Sequence, residues 1–358
     1  MKIAHLDTEI SWRGGEQQIL YLAEALREAG DENLIIARSG SALESKAQQA
    51  GFSCFPVSPK MEWDFFEALL IRRRLRGANF DILHAHTAHA AALGALASLR
   101  GDIPLIVSRR VDFHLSKNPF SRWKYLRAAK ILAVSSAIKQ ILIQDGISPE
   151  RIEVLYSGVN LKRFEGDKKS RQDLRLPDSK ILIGQIAALS DQKDPLNFVQ
   201  AMAVLAQKGV DFRVLMAGDG PLKIKVEEEI KRLNLKDIVF VLGFREDALE
   251  ILRHLDVFVL SSRWEGLGTS ILDALAAGVP VVASRTGGIP EMIEEGVSGL
   301  LVAPGDPASL ARAIERILLD AALRERLIAG GREKVQFFSA QKMAQSTRAV
   351  YQRILAKA

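Results

Sequence analysis

The chain has 358 residues, 48% hydrophobic and 26% charged, with a net charge of +6 and a single cysteine. That length is too great for one ordinary core and asks for two domains, and the composition excludes disordered, collagenous and disulfide-stapled classes. The first residues run directly into a strand pattern without a signal peptide, and no apolar run approaches the ~20 residues of a bilayer-spanning helix, so a cytoplasmic location is expected.

In chain order, the first half carries short apolar runs at 2–6, 33–37, 53–57, 81–84, 104–108, 130–134 and 153–155, each reading as a buried strand. Amphipathic segments at 16–29 and 89–99 read as helices between them. Cys54 falls in the third run and is expected as a small buried hydrophobe in a reducing compartment. The polar stretch 165–179 (EGDKKSRQDLRLPDS) reads as a linker. Beyond it, strands are expected at 181–186, 212–217, 238–242, 257–260, 280–283 and 299–302, and helices at 195–208, 221–233 and 307–318. Such alternation makes α/β domains, each a doubly wound parallel sheet covered on both faces. Two of them facing a cleft is the economical architecture, and the cleft is the default binding site.

One stretch speaks most directly to chemistry. The apolar strand at 257–260 runs into an acidic, Gly-rich turn, a helix opens at Thr269, and it stops at Gly278 before the next strand. Ligands sit beyond the carboxyl ends of strands in parallel sheets, and the free amides of a helix N-terminus attract phosphate. Carboxylates beside such an anion site suit hydroxyls, because one carboxylate accepts two hydroxyl hydrogen bonds. A nucleoside diphosphate sugar combines both demands.

Further landmarks are Gly14-Gly15-Glu16 after the first strand, His84-Ala85-His86 at the fourth, Ser157-Gly158-Val159-Asn160 before the linker, Lys193, Gly218-Asp219-Gly220-Pro221, Glu265…Asp273, and Gly287-Gly288-Ile289-Pro290-Glu291. In that order and over the whole length, the chain resembles glycosyltransferase family 4, the group-1 retaining glycosyltransferases of GT-B fold. The resemblance implies an acceptor-binding Rossmann-like domain over 1–165, a donor-binding one over 166–339, and a helix at 340–358 crossing back to the first. It implies transfer of a sugar from a nucleoside diphosphate donor to an acceptor hydroxyl in cell-surface glycan synthesis, such as lipopolysaccharide or glycolipid, with no cofactor and no metal.

By the same resemblance, Lys193 neutralises the departing diphosphate, Glu265 holds hydroxyls of the transferred sugar, and His86 lies at its anomeric side. Gly14, Gly15, Gly218, Gly268, Thr269, Ser270 and Asp273 are implied on the donor, with Thr269 also able to act as a helix cap. Two positions depart from the family's pattern. Asp273 stands where the family places a longer Glu on the ribose, and Ala188 stands where it places an arginine. Arg109, Arg110 and Arg263 are the candidates for the missing cation, or for an acceptor contact.

His84 and His86 share a face of an extended strand and His89 is near, but no acidic or thiolate ligand joins them, so no metal is expected; His84 is assigned to the core. Residues 100–163 carry twelve Lys/Arg against five Asp/Glu. With the basic, aromatic-led segment 61–76, this suggests a lipid-linked or other glycan acceptor at an anionic membrane surface, with a plain solvated face as the alternative. Nucleic acid is not expected, for want of a stacking platform or reader motif. Rival functions are a 2-epimerase or sugar-phosphate synthase of the same fold, and a non-catalytic nucleotide-sugar-binding module.

Overall fold

A computed structural model describes residues 1–357 except Asp102 and Lys117. The chain divides into two compact units, Met1–Asn160 with Ser339–Ala358, and Leu161–Phe338.

The first unit is built on strands β1 (Lys2–Leu6), β2 (Glu32–Arg38), β3 (Ser53–Val57), β4 (Ile82–Ala85), β5 (Leu105–Arg109), β6 (Lys130–Ala133) and β7 (Ile152–Val154). Helices α1 (Gly14–Glu28), α2 (Ala42–Gln49), α3 (Phe65–Gly77), α4 (Ala88–Ala97), α5 (Pro119–Arg127) and α6 (Ser136–Gln144) connect them. All strand pairs are parallel, in the order β3-β2-β1-β4-β5-β6-β7. The chain therefore starts in mid-sheet and winds outward both ways, which places a topological switch point at the carboxyl ends of β1 and β4. Cys54 lies on the edge strand β3 and is half-buried rather than buried, packed against the small core that α1 and α2 share with β2.

The second unit repeats the pattern with β8 (Leu182–Ile186), β9 (Arg213–Ala217), β10 (Val239–Gly243), β11 (Val257–Leu260), β12 (Val281–Ser284) and β13 (Leu300–Val302). Its helices are α7 (Pro195–Ala206), α8 (Lys223–Arg232), α9 (Ala248–Leu252), α10 (Thr269–Ala276), α11 (Ile289–Met292), α12 (Pro307–Leu319) and α13 (Ala321–Val335). The sheet runs β10-β9-β8-β11-β12-β13, again parallel. Its switch point lies between β8 and β11, the strands that lead to Lys193 and Glu265.

The last helix, α14 (Ala340–Leu355), belongs to the first unit. Its Met343, Ala344, Val350 and Tyr351 share a core with Ile3, Leu22 and Ile106. At Gly158 a side chain would meet the Ala340 backbone at 2.8 Å, so the Ser157–Asn160 landmark is explained by this packing. The segment 165–179 is not a free linker but docks on the second unit. Leu174 is buried there, Arg253 donates to the carbonyls of Gly166 (2.5 Å) and Asp167 (3.2 Å), and Arg245 donates to that of Leu174 (3.1 Å). Its polar side chains face water while its backbone is held, which composition alone does not reveal. Among the described residues, no helix is long and apolar enough to cross a membrane.

Candidate active site

In the second unit, the turn after β8 and the turn after β11 are tied together. Ser261, fully buried, receives a hydrogen bond from Gln185 (3.0 Å) and donates to the carbonyls of Lys193 (3.0 Å) and Asp194 (2.9 Å). The backbone that carries Lys193 is therefore fixed from beneath. Its ammonium pairs with the Glu265 carboxylate, which also accepts from Ser262 Oγ at 3.2 Å. The Glu265 backbone is held in turn by Gly287 and Gly288. Gly288 N–H donates to the Glu265 carbonyl (3.2 Å), and Gly287, at φ 51°, would place a Cβ 1.7 Å from that oxygen. Only glycine fits at 287, and no local pattern in the sequence reveals this clamp.

Helix α10 opens directly beside the pair. A Cβ on Gly268 would lie 3.3 Å from Glu265 Cγ, so Lys193, Glu265 and the start of α10 converge. Gly268, not Thr269, is the N-cap, and no side chain caps the helix; Thr269 and Ser270 are its first two residues and half-buried. The amides of its first turn thus lack the side-chain acceptor that Thr87 gives α4 and Ser135 gives α6. One turn on, Asp273 is half-buried and its carboxylate has no hydrogen-bond partner among the described residues. Burial pushes it up to about 7, only partly opposed by the charge of Arg163. Gly218, at φ 147°, would place a Cβ 1.9 Å from the Ala187 carbonyl, so backbone packing alone explains it.

Arg263 stands on the same side as Lys193. Its N–H donates to the Gln192 carbonyl (2.9 Å), its guanidinium pairs with Asp194 (2.8 Å), and its side chain remains 52% exposed. Ala188, where the family's arginine would be, is exposed.

In the first unit the candidates sit at the carboxyl ends of β1, β4 and β5. Register places His5 directly beside His84, and His86 lies two residues further on. The third imidazole of the cluster is therefore His5, while His89 is exposed on the first turn of α4. The ring nitrogens of His5, His84 and His86 come within 4.8 Å of one another, a spacing that could hold a metal. Every one of them, however, already has a partner. Asn33 donates its amide to the Asp31 carbonyl (2.9 Å), so its Oδ1 accepts from His5 Nε2 (3.0 Å). His5 Nδ1 then accepts from His86 Nε2 (3.1 Å), and His86 Nδ1 accepts from Arg110 (3.2 Å). His84 is held by Tyr351 Oη (2.6 Å) and Ser108 Oγ (2.8 Å), in the core as its position in the strand implied.

This relay assigns one tautomer to each ring along it, all neutral. Burial first, then the Arg110 charge, lowers His5 to about 4, against its bond to Asn33; His84 and His86 are driven well below 6.5, also by burial first. Asp7, buried at the end of β1 with one oxygen unpartnered, is pushed up to about 7 by desolvation. Arg110 is half-buried, interacts electrostatically with Asp7 and Glu16, and leaves its Nε unpartnered. Arg109 departs from its expected ligand role: it is buried, bonded to Tyr125 Oη (3.0 Å) and the Phe113 carbonyl (2.5 Å), and braces the chain after β5. Gly14 and Gly15 open α1, Gly14 exposed and Gly15 half-buried, with Glu16 accepting from Arg13 N–H (2.6 Å). A Cβ at Gly15 would meet nothing within 4 Å, so no neighbour demands a glycine there.

Comparison with known proteins fits this arrangement. Residues 166–334 match the model of glycosyl transferases group 1, and residues 12–163 match that of glycosyltransferase family 4. The chain belongs to this family. It is 30% identical over 283 residues to an alpha-D-kanosaminyltransferase of Streptomyces kanamyceticus, covering 72% of each chain. It is 27% identical over 346 residues, 90% of this chain and 89% of the other, to the Escherichia coli UDP-Gal:alpha-D-GlcNAc-diphosphoundecaprenol alpha-1,3-galactosyltransferase. Among solved structures, Anabaena Alr3699/HepE in complex with UDP-glucose superposes with a TM-score of 0.85 at 24% identity, over 99% of this chain and 100% of that one. The fold is GT-B, and the reaction of this glycosyltransferase is glycosyl transfer from a nucleotide sugar.

Proposed function

We propose that this glycosyltransferase takes its sugar from a uridine diphosphate donor and retains the anomeric configuration without a metal. The acceptor is a glycan hydroxyl, lipid-linked and presented at the cytoplasmic face of the membrane, in the synthesis of a cell-surface glycan. The observation that carries the donor half is the meeting of Lys193, Glu265 and the uncapped start of α10. The diphosphate leaves with extra negative charge, and Lys193 with the α10 amides stabilises it. Arg263 supplies the second cation that Ala188 does not, by exchanging Asp194 for phosphate. Glu265 accepts hydroxyls of the sugar once the donor draws Lys193 away, and Asp273 accepts ribose hydroxyls. The leaving phosphate itself takes the acceptor proton.

The choice of uridine and of a lipid diphosphate acceptor is supported by the name of the Escherichia coli relative and by the UDP-glucose complex of the Anabaena protein. Metal independence is supported by the imidazole cluster, whose nitrogens are all engaged within the protein. The test offers the enzyme UDP-galactose, UDP-glucose or UDP-N-acetylglucosamine with a sugar-diphosphate lipid, with and without EDTA. A new glycoside of unchanged anomeric configuration, formed at the same rate in EDTA, is expected. An inverted product, loss of turnover in EDTA, or epimerised donor alone would overturn the respective part.

A further inference from the structure

Large apolar side chains on the surface concentrate on one face of the first unit. In α3, Ala68, Ile71 and Leu75 point inward, while Phe66 (84% exposed), Phe65 (66%), Leu69 and Leu70 point out. Just before the helix, Trp63 packs its ring on Phe120 (5.8 Å between centroids) and Trp123 (5.7 Å), which joins α3 to the equally exposed start of α5. Met61 and Phe120, both more than 60% exposed, extend the same surface. Scattered exposed hydrophobics need no explanation, but a continuous aromatic patch does.

Charge selects the occupant. The acids of the segment are engaged locally: Glu62 pairs with Lys124, Asp64 caps α3 at the amides of Phe66 and Glu67, and Glu67 accepts from Ser58 N–H. The same two helices carry exposed arginines: Arg73 and Arg74 on α3, and on α5 Arg122 and Arg127, which donate to the carbonyls of Gly146 (3.2 Å) and of Ser98 and Leu99 (3.1 and 3.2 Å). A second copy docked on the same face would bring these arginines together, whereas an anionic bilayer accepts both the rings and the cations. Position agrees. Both helices begin at the carboxyl edge of the sheet, and Lys124 donates to the carbonyl of Ala88 (2.9 Å), two residues beyond His86.

We infer that the α3–α5 face is a docking surface for an anionic phospholipid bilayer, which sets the carboxyl ends of β4 and β5 at the lipid headgroups. Its place in the reaction rests on the lipid-linked acceptor proposed above; the surface itself does not. The experiment sediments the full chain with vesicles of phosphatidylcholine, with or without phosphatidylglycerol. Binding to the anionic vesicles, weakened by salt, is expected. Phe65→Ser/Phe66→Ser should lower that affinity about tenfold or more. Arg73→Ser/Arg74→Ser should lower it by about fivefold per arginine. Both variants should keep the rise in melting temperature that UDP produces. Absence of wild-type binding, or wild-type affinity in either variant, overturns the inference. So does a wild-type dimer in ultracentrifugation that the Phe variant dissociates, which would mark the face as a self-association surface. Loss of the UDP response in the wild-type protein would instead count against the donor reading and leave the vesicle result standing.

Discussion

At the carboxyl end of β4, each imidazole nitrogen is already bonded inside the protein, and the rings are neutral and deeply buried. Beyond β11 the opposite holds: a helix start lacks a side-chain cap, Asp273 has no hydrogen-bond partner among the described residues, and the Lys193–Glu265 ion pair joins residues with separate tasks. The three imidazoles form a closed network, although Asp7 and Arg110 beside them each keep one buried atom unpartnered; the helix start beyond β11 keeps capacity for a ligand. The difference teaches that a buried polar cluster and a binding site are distinguished by what is left unsatisfied, not by how many polar residues gather.

Three experiments test that contrast, from the largest effect to the smallest. Lys193→Ala should reduce transfer by about 100–1000-fold, the scale of one lost electrostatic contact in the transition state. The circular dichroism spectrum should remain that of the folded protein. A variant that turns over at the parent's rate would mean the open end of the second sheet is not where the charge develops.

Next in size is the acid response of the closed cluster. The folded-state value of His5, about 4, lies below its ordinary 6.5. Its contribution to stability is therefore present above pH 6.5 and is lost as pH falls through about 4, on the order of 3 kcal/mol for this group. The melting temperature should decline across that window, and His5→Gln should flatten part of the decline. An unchanged slope in the variant would show that the relay is not buried and neutral as described.

The smallest effect concerns Asp273. With its carboxyl raised to about 7, the acid is half ionised near neutrality, and only the ionised form accepts two ribose hydroxyls. The KM for donor should therefore fall by up to about tenfold as pH rises from 6 to 8, with kcat little altered. In Asp273→Asn the pH dependence of KM should vanish. Persistence of the profile in Asn would assign the titration to another group.

Much of the fold was legible because parallel strands buried on both faces read as apolar runs, and each expected run corresponds to a strand here with ends shifted by a residue or so. Helices such as α5 and α13 were harder to read. Pro119–Arg127 has only Lys124 and Tyr125 buried, and α13 buries few of its fifteen residues, so tertiary contacts rather than a strong apolar stripe hold them. At the site, Lys193, Glu265 and the α10 turn could be picked out because each carries its own local pattern. His5 could not, since it meets His86 only through the register of β1 on β4, 81 residues apart in sequence. Arg109 misled for a related reason: an arginine at a strand end has the same letters around it whether it reaches a ligand or braces Tyr125.

The return of α14 to the first unit bears on how the chain is made. The hydroxyl that holds His84, on Tyr351, is synthesised 267 residues after its partner. On the ribosome, the amino-terminal sheet lacks part of the cover on one face until α14 has been made, after the whole of the second unit. Damage to α14 would thus be felt by the unit whose sheet was translated before it.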